Sequence, residues 1–419
     1  LKQLAPQAQA IHSNYAVILC LPPMQAWKRL LGIQHVCVRC KNDEIFLRMN
    51  SETYMTNRLN INICAASRQI FYDCSDDMFA AVAAFIAEHF RHYGVAVVVD
   101  SNVFALHGAF LTQAMAWHPR FSPERSIMTI PAGEASKSRV EKDRIEDELF
   151  ARGFGRDTVL VAVGGGVVGD LAGYVAATFN RGVPLIHVPT TLLAQVDSSI
   201  GGKTGINHTA GKNLIGAFYQ PEAIFASVDV LSTLSQPEFR SGLAEVLKYA
   251  ATLDRGLWEL LKHHAGRVND REKDILREII LRSAAIKIRV VEQDEKESGL
   301  RAILNFGHTA AHAFESLSAY SIPHGFAVAA GMRVAMRLSR NLLGYPAEHV
   351  EQFDALLECY DLKLEYTSRF QSDDVWTATL ADKKSREGSP RFVLMRSPSE
   401  YVLAHPVEKA QFLDALSSV

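Results

Sequence analysis

Hydrophobic positions change their rhythm twice along the chain. The first 55 or so residues mix a short apolar run with Pro22-Pro23, a basic segment and Cys37-Val-Arg-Cys40, and keep neither the strand nor the helix period. They read as an irregular N-terminal extension, residues 1–58, of unassigned role. Leu1 opens the chain, and Met49 and Met55 lie just ahead of the regular pattern, so an upstream start is the other reading. From Asn60 the pattern settles. Short strands over 60–63 and 69–72 precede an amphipathic helix over 76–92, with Met78, Ala81, Val82, Phe85 and Phe90 near helical spacing. A continuous apolar strand over 95–99 ends at Asp100. The spacing then predicts a helix around 110–116, a strand near 126–130, a charged helix over 136–152, and strands over 158–163 and 185–188. Buried strands alternating with helices imply a mostly parallel sheet covered on both faces.

After Thr233 the strand signals fade. Helical patterns fill 238–359, and a short strand near 392–395 follows the charged Asp382-Lys383-Lys384. The expectation is therefore an α/β N-terminal domain over 59–233, with a Rossmann-like sheet, and a mainly α-helical C-terminal domain over 234–419.

Composition narrows the function classes. With 44 basic and 46 acidic side chains the formal net charge is −2, which gives no global reason to bind nucleic acid or an acidic membrane. An apolar share of 48 % with 21 % charged residues is that of a soluble globular chain. No apolar run approaches the ~18 residues of a membrane span. The run over 15–21 lacks a basic flank and a small-residue cleavage site, so a secretory signal is not expected and a cytoplasmic location is. Five of the six cysteines crowd the first 74 residues, but a single CxxC has no second half, so structural cysteines are preferred to a metal site there.

Chemistry concentrates in the middle. Gly164-Gly165-Gly166-Val167-Val168-Gly169-Asp170 follows a strand and opens a helix, a spacing that lets backbone approach a pyrophosphate at a helix N-terminus. The acid that an ordinary dinucleotide fingerprint wants about 20 residues on is missing. Asp100 and Glu134, at the carboxyl ends of preceding strands, are the acids available instead. Asp197, Lys203, Lys212 and Asn213 lie among glycines, a mixture suited to a phosphorylated, polyhydroxylated anion. Glu245 and Lys248 share one face of an apolar helix. His308 and His312 are one turn apart, Glu315 extends their face, and His324 follows on a turn. One carboxylate with two or three imidazoles is a plausible zinc set. Spacing alone would pair His308 with His312, but no Glu follows His308 directly, which argues against the helical metalloprotease class.

Gly164 to Asp170, Pro189 to Asp197, Gly201 to Thr204, Gly211 to Pro221, Gly242 to Tyr249 and Leu304 to His312 together resemble the 3-dehydroquinate synthase family of sugar phosphate cyclases. The likeness runs from about Asn60 to the C-terminus. It implies a carbon–oxygen lyase of the shikimate pathway that turns 3-deoxy-D-arabino-heptulosonate 7-phosphate into 3-dehydroquinate and phosphate. It further implies NAD and a divalent metal, zinc with cobalt as the alternative. The metal ligands would be Glu245, His308 and His324, with His312 near the substrate phosphate. Substrate contacts would fall to Lys203, Asn213, Lys248, Arg301, Asn305, Asp197 and Lys287. Arg181 would reach the neighbouring site of a homodimer, and Lys383 or Lys384 would bind phosphate. NAD would meet Asp100, Asn102, Glu134, Lys137, Gly165, Gly166, Val167, Asp170, Thr190, Thr191, Lys212 and Thr233.

Two departures stand out. Phe326 replaces the Glu that usually follows His-Gly in the family, which removes an expected acceptor near His324. The residues between Glu134 and Lys137 are Ala-Ser where Gln-Tyr is common. Two other readings compete: a cyclase acting on sedoheptulose 7-phosphate or an amino-sugar analogue, and a metal- and NAD-dependent alcohol dehydrogenase. Lys203 and Asn305 favour the heptulosonate enzyme, because the other cyclases tend to change those stretches.

Overall fold

Side chains on the central strands alternate between two apolar layers, and that alternation builds the sheet. The computed structural model describes residues 57–63, 68–362, 369–380, 389–398 and 400–419. Strands β1 (Arg58–Ile63), β2 (Arg68–Cys74), β3 (Gly94–Asp100), β4 (Ile127–Ile130), β5 (Thr158–Gly164), β6 (Leu185–Pro189) and β9 (Ala223–Ala226) form one seven-stranded sheet. Its order is β1-β2-β9-β6-β5-β3-β4, with β1 antiparallel and every other pairing parallel. Val95, Val97 and Val99 of β3 face helices α1 (Met78–His89) and α2 (Ser101–Met115). Ala96 and Val98 face the other way, onto α3 (Arg139–Ala151) and α4 (Gly166–Thr178). Both faces being dry is what makes these strands uninterrupted apolar runs.

Strand order reverses between β5 and β3. The chain passes from β3 outward to β4, then returns to β5 on the other side. Open α/β sheets bind ligands at such a switch point, beyond the carboxyl ends of the strands. Here those ends are Asp100 and Gly164.

Beyond the sheet come α5 (Gln236–Thr252), α6 (Arg255–His263), α7 (Lys273–Gln293), α8 (His308–Leu317), α9 (His324–Leu343), α10 (Ala347–Cys359), α11 (Ser372–Leu380) and α12 (Lys409–Ser417), with short helical turns between some of them. Helix α5 starts at the Ser235 cap with Pro237 in its first turn, and from Phe239 it is almost wholly buried. Helix α9 crosses it closely: a methyl group at Gly325 would sit 2.1 Å from the Ser241 carbonyl oxygen. One continuous core joins Tyr72, Ile224 and Ala226 of the sheet to Leu243, Leu247, Ile280 and Val328 of the helices. No helix among the described residues is long and apolar enough to cross a membrane.

Several elements differ from the sequence expectation. Helix α2 begins at Ser101, directly on the Asp100 cap, rather than near Phe110. The glycine-rich stretch after Gly202 is an antiparallel hairpin, β7 (Lys203–His208) and β8 (Gly211–Phe218), and β9 follows it. The short strand near 392–395 is β10 (Arg391–Ser397), paired with β11 (Glu400–Pro406). Cys37, Cys40 and the lysines Lys383 and Lys384 lie outside the described residues.

Candidate active site

Helices α5, α8 and α9 deliver one residue each to a common point. Glu245 sits on the buried stretch of α5, His308 opens α8 and His324 opens α9. One donor atom from each lies within 4.8 Å of the other two. Glu245 is fully buried, and its Oε1 has no hydrogen bond of acceptable geometry. The Nε2 atoms of His324 and His308 face that oxygen at 3.3 and 3.6 Å. Each imidazole has its Nδ1 turned to an outer acceptor: His308 to the Phe306 carbonyl at 3.3 Å, His324 to Glu315 Oε1 at 3.4 Å. With Nδ1 turned outward, the Nε2 atom of each ring is the one left to face inward, the arrangement of metal-bound histidines. An orphaned carboxylate oxygen and two inward imidazoles fit a divalent cation such as zinc.

The electrostatics are cation-seeking. Burial pushes the Glu245 carboxyl up, but the Lys248 ammonium and the His324 imidazole outweigh it and bring it down to about 2. Burial pushes His324 down, and Glu245 and Glu315 overcome this to lift it to about 10. Glu315 therefore supplies the acceptor that Phe326 does not. Sequence reasoning placed Glu315 on the face of His308 but did not see its reach to α9. His312 lies on the same helix, exposed, with its ring centre 5.8 Å from that of His308, and is not among the converging donors.

Beside this point lies a cluster of cations. Lys248 is buried against Glu245 and stands 3.9 Å from Asp197 Oδ2. Lys287 donates to the Asp197 carboxylate and, at 2.6 Å, to its carbonyl. Burial, with Arg301 and Lys248 nearby, lowers the Lys287 ammonium to about 8 against the pull of Asp197. Arg301 is 2 % exposed and donates to Gly201 O at 3.2 Å and to the Glu295 carbonyl. Glu297 was not foreseen. It binds the Lys203 ammonium with one carboxylate oxygen and accepts from Asn305 Nδ2 at 2.6 Å with the other. Lys248, Lys287, Arg301 and Asp197 are thus brought together, and Lys203 and Asn305 share one carboxylate.

Most of the residues expected to meet NAD gather at the switch point. Asp100 caps α2, accepting from Asn102 N at 2.9 Å and Val103 N at 3.0 Å. Gly165, Gly166, Val167 and Asp170 form the first turns of α4, whose N-terminus has no side-chain cap. The cradle is tight: a methyl group at Gly165 would lie 2.9 Å from Thr191 Cγ2, and one at Gly166 3.0 Å from Ser198 Oγ. Thr190 Oγ1 and Ser198 Oγ are buried with no hydrogen-bond partner, and Thr191 Oγ1 accepts from Ala194 N at 3.1 Å. Free amides, a close-approach cradle and two orphaned hydroxyls fit a pyrophosphate-bearing cofactor. Lys137 donates to Asp170 at 2.7 Å and to Asn213, and Glu134 accepts from Asn207 at 2.7 Å. Lys212 lies farther toward the metal side, 3.3 Å from Glu315. Thr233 meets His107 Nε2 at 3.0 Å. Arg181 is exposed on a turn where it and Asn180 have φ of 69° and 50°.

Family comparison gives the geometry its context. A family model described as 3-dehydroquinate synthase N-terminal matches residues 127–241, and one described as 3-dehydroquinate synthase C-terminal matches residues 242–385. The chain belongs to the 3-dehydroquinate synthase family. A 3-dehydroquinate synthase from Pelobacter propionicus is 49 % identical over 282 residues, 67 % of this chain and 78 % of the relative. Among solved structures, a 2-deoxy-scyllo-inosose synthase complexed with carbaglucose-6-phosphate, NAD⁺ and Co²⁺ is 25 % identical, with a TM-score of 0.78 over 86 % of this chain and 99 % of that one. The 2-epi-5-epi-valiolone synthase of Streptomyces hygroscopicus, with NAD⁺ and Zn²⁺ bound, gives 25 % identity and 0.75 over 83 % of this chain and 95 % of that one.

Proposed function

We propose that this chain is a 3-dehydroquinate synthase, a carbon–oxygen lyase converting 3-deoxy-D-arabino-heptulosonate 7-phosphate to 3-dehydroquinate and phosphate. The observation that carries this reading is the convergence of Glu245, His308 and His324 beside buried Lys248, Lys287 and Arg301 in a chain of this family. When bound, NAD⁺ supplies a reversible hydride acceptor for the C5 alcohol, and a divalent metal held by Glu245, His308 and His324 acidifies the hydroxyl being oxidised.

The protein's own residues bind, orient and move protons. Lys248, Lys287 and Arg301, desolvated together, hold the anionic substrate, with Lys203, Asn213 and Asn305 positioned for its hydroxyls and carboxylate. Glu297 keeps Lys203 and Asn305 paired until those donors turn to substrate. Asp197 fixes the Lys287 and Lys248 ammonium groups. His312 is set apart from the metal ligands, where its imidazole bonds the departing phosphate and manages a proton as the C–O bond breaks. Asp100, Asn102, Glu134, Lys137, Asp170, Thr190, Thr191, Lys212 and Thr233 hold NAD, with Gly165, Gly166 and Val167 giving backbone to its pyrophosphate. Lys383 or Lys384 binds phosphate, and Arg181 completes the site of the second copy in a homodimer. The exposure of Arg181, held with Asn180 in a left-handed turn, supports that last assignment, since such backbone persists only where context enforces it. The division into 59–233 for NAD and 234–419 for metal and substrate, and a cytoplasmic location, belong to the same reading.

Phosphate release from the heptulosonate phosphate and from sedoheptulose 7-phosphate, side by side with NAD⁺ and zinc, tests it. Turnover of the first alone is expected. Preference for sedoheptulose 7-phosphate would move the chain to a secondary-metabolic cyclase.

A further inference from the structure

The segment that presents Asp197 is a five-residue π-helix, Ala194–Ser198. A π-turn spaces its hydrogen bonds one residue wider than an α-turn, is rare, and clusters at functional sites. It needs outside partners to persist. The Gln195 carbonyl accepts from the Tyr72 hydroxyl at 2.9 Å, and the Val196 carbonyl accepts from the Tyr249 hydroxyl at 3.3 Å. The Asp197 carbonyl accepts from Lys287 Nζ at 2.6 Å. Three successive carbonyls are thus served by side chains from β2, α5 and α7 rather than by a continuing helical ladder. The amide of Ile200 turns back on Asp197 O at 2.9 Å instead of extending the helix. The Gln195 side chain pins the same segment from behind, donating to Pro189 O at 3.1 Å and Ser227 O at 2.8 Å.

Tyr72, Tyr249 and Gln195 are all fully buried. Burial holds both phenols well above their ordinary range, so they remain protonated donors at any working pH. A Phe at either place would fill the same space but leave the carbonyl behind it buried without that donor, so the hydroxyls do more than pack.

We propose that Tyr72 and Tyr249 are positioning residues: their hydroxyls hold the π-turn open and so fix the Asp197 carboxylate between Lys287 and Lys248. Relaxation to an α-helical register would rotate Asp197 by about 100° around the helix axis and break that contact. The inference rests on the reading of Asp197 and its lysines as the substrate-binding cluster. A misplacement of this size costs turnover more than binding, because it spoils the orientation of reacting groups.

Tyr72→Phe and Tyr249→Phe each delete one oxygen and leave the core filled. Each is expected to lower kcat for phosphate release by about tenfold, with KM changed less than about twofold. Hydrogen exchange of the amides over 194–200 should rise in both variants. The deciding readout is a double-mutant cycle: in an Asp197→Asn background the same tyrosine substitutions should cost less than about twofold, because the group they position is already altered. Equal losses in the two backgrounds would make the tyrosines merely structural and overturn the proposal, as would unchanged kcat in the native background. A native chain that releases no phosphate from the heptulosonate phosphate, yet shows faster exchange over 194–200 in the variants, would sink the functional reading while leaving the π-turn assignment standing.

Discussion

The two ends of the active site are built from different materials. At the sheet end the glycine loop offers a ligand its backbone: the uncapped amides of α4 and the cradle against Thr191 and Ser198, beyond the strand end at Asp100. At the helical end it offers side chains that arrive from distant points, with Glu245, His308 and His324 brought within 4.8 Å by the packing of α5, α8 and α9. A backbone site needs only a strand, a turn and a helix in succession. A convergent site needs the whole helical core, and its charged members survive burial only because they are paired. The first is therefore sensitive to added volume, and the second to lost partners.

Substitutions at the two ends should separate cleanly, starting with the largest effect. Glu245→Gln should lose bound metal and lower turnover by more than about a thousandfold. Stoichiometric metal in that variant, by elemental analysis, would take Glu245 out of the donor set. His312→Ala should keep its metal and lose turnover by about 10²- to 10⁴-fold, the worth of a general acid or base. His308→Ala should lose both metal and turnover. A folded but metal-free His312→Ala protein would instead favour the one-turn histidine pair. Glu315→Ala should weaken metal affinity by about 10- to 100-fold in a chelator competition, since it frees the outer nitrogen of His324. Unchanged affinity would leave His324 oriented by its packing alone. At the other end, Gly165→Ala should reduce NADH affinity by about tenfold, read by fluorescence titration, through overpacking against Thr191. Its metal content should not change, and coupled loss of metal would dissolve the contrast between the two ends.

The same contrast explains what was legible in the sequence. Strands β3 and β5 announce themselves because both their faces are buried, and Asp100 reads as a strand end because a polar cap must follow an apolar run. The hairpin β7–β8 was not visible. Gly211-Lys212-Asn213 carries no apolar alternation, and Leu214 and Phe218 of β8 are themselves exposed. The early part of α2 was hidden for a similar reason, since Phe104 and Leu106 face solvent and break the amphipathic pattern. At the helical end, spacing alone paired His308 with His312, the local choice. His324 was one of the two or three imidazoles in reach, and only the family resemblance chose it over His312, because no local rule connects the starts of two helices. Glu297 sits in an acidic run that reads as a solvated surface, and its contact with Lys203 crosses from the segment after α7 to the start of β7. Tyr72 and Tyr249 look like ordinary core aromatics until their hydroxyl partners are known.

In the proposed reaction NAD⁺ is reduced and re-oxidised within one turnover. Phosphate release and NADH absorbance should be followed together, with the heptulosonate phosphate in large excess over NAD⁺ and with zinc present. Phosphate released should exceed the NAD⁺ supplied many times over while NADH absorbance stays flat. Absorbance that rises in step with turnover, and stops when NAD⁺ is spent, would make the chain a dehydrogenase and not a cyclase.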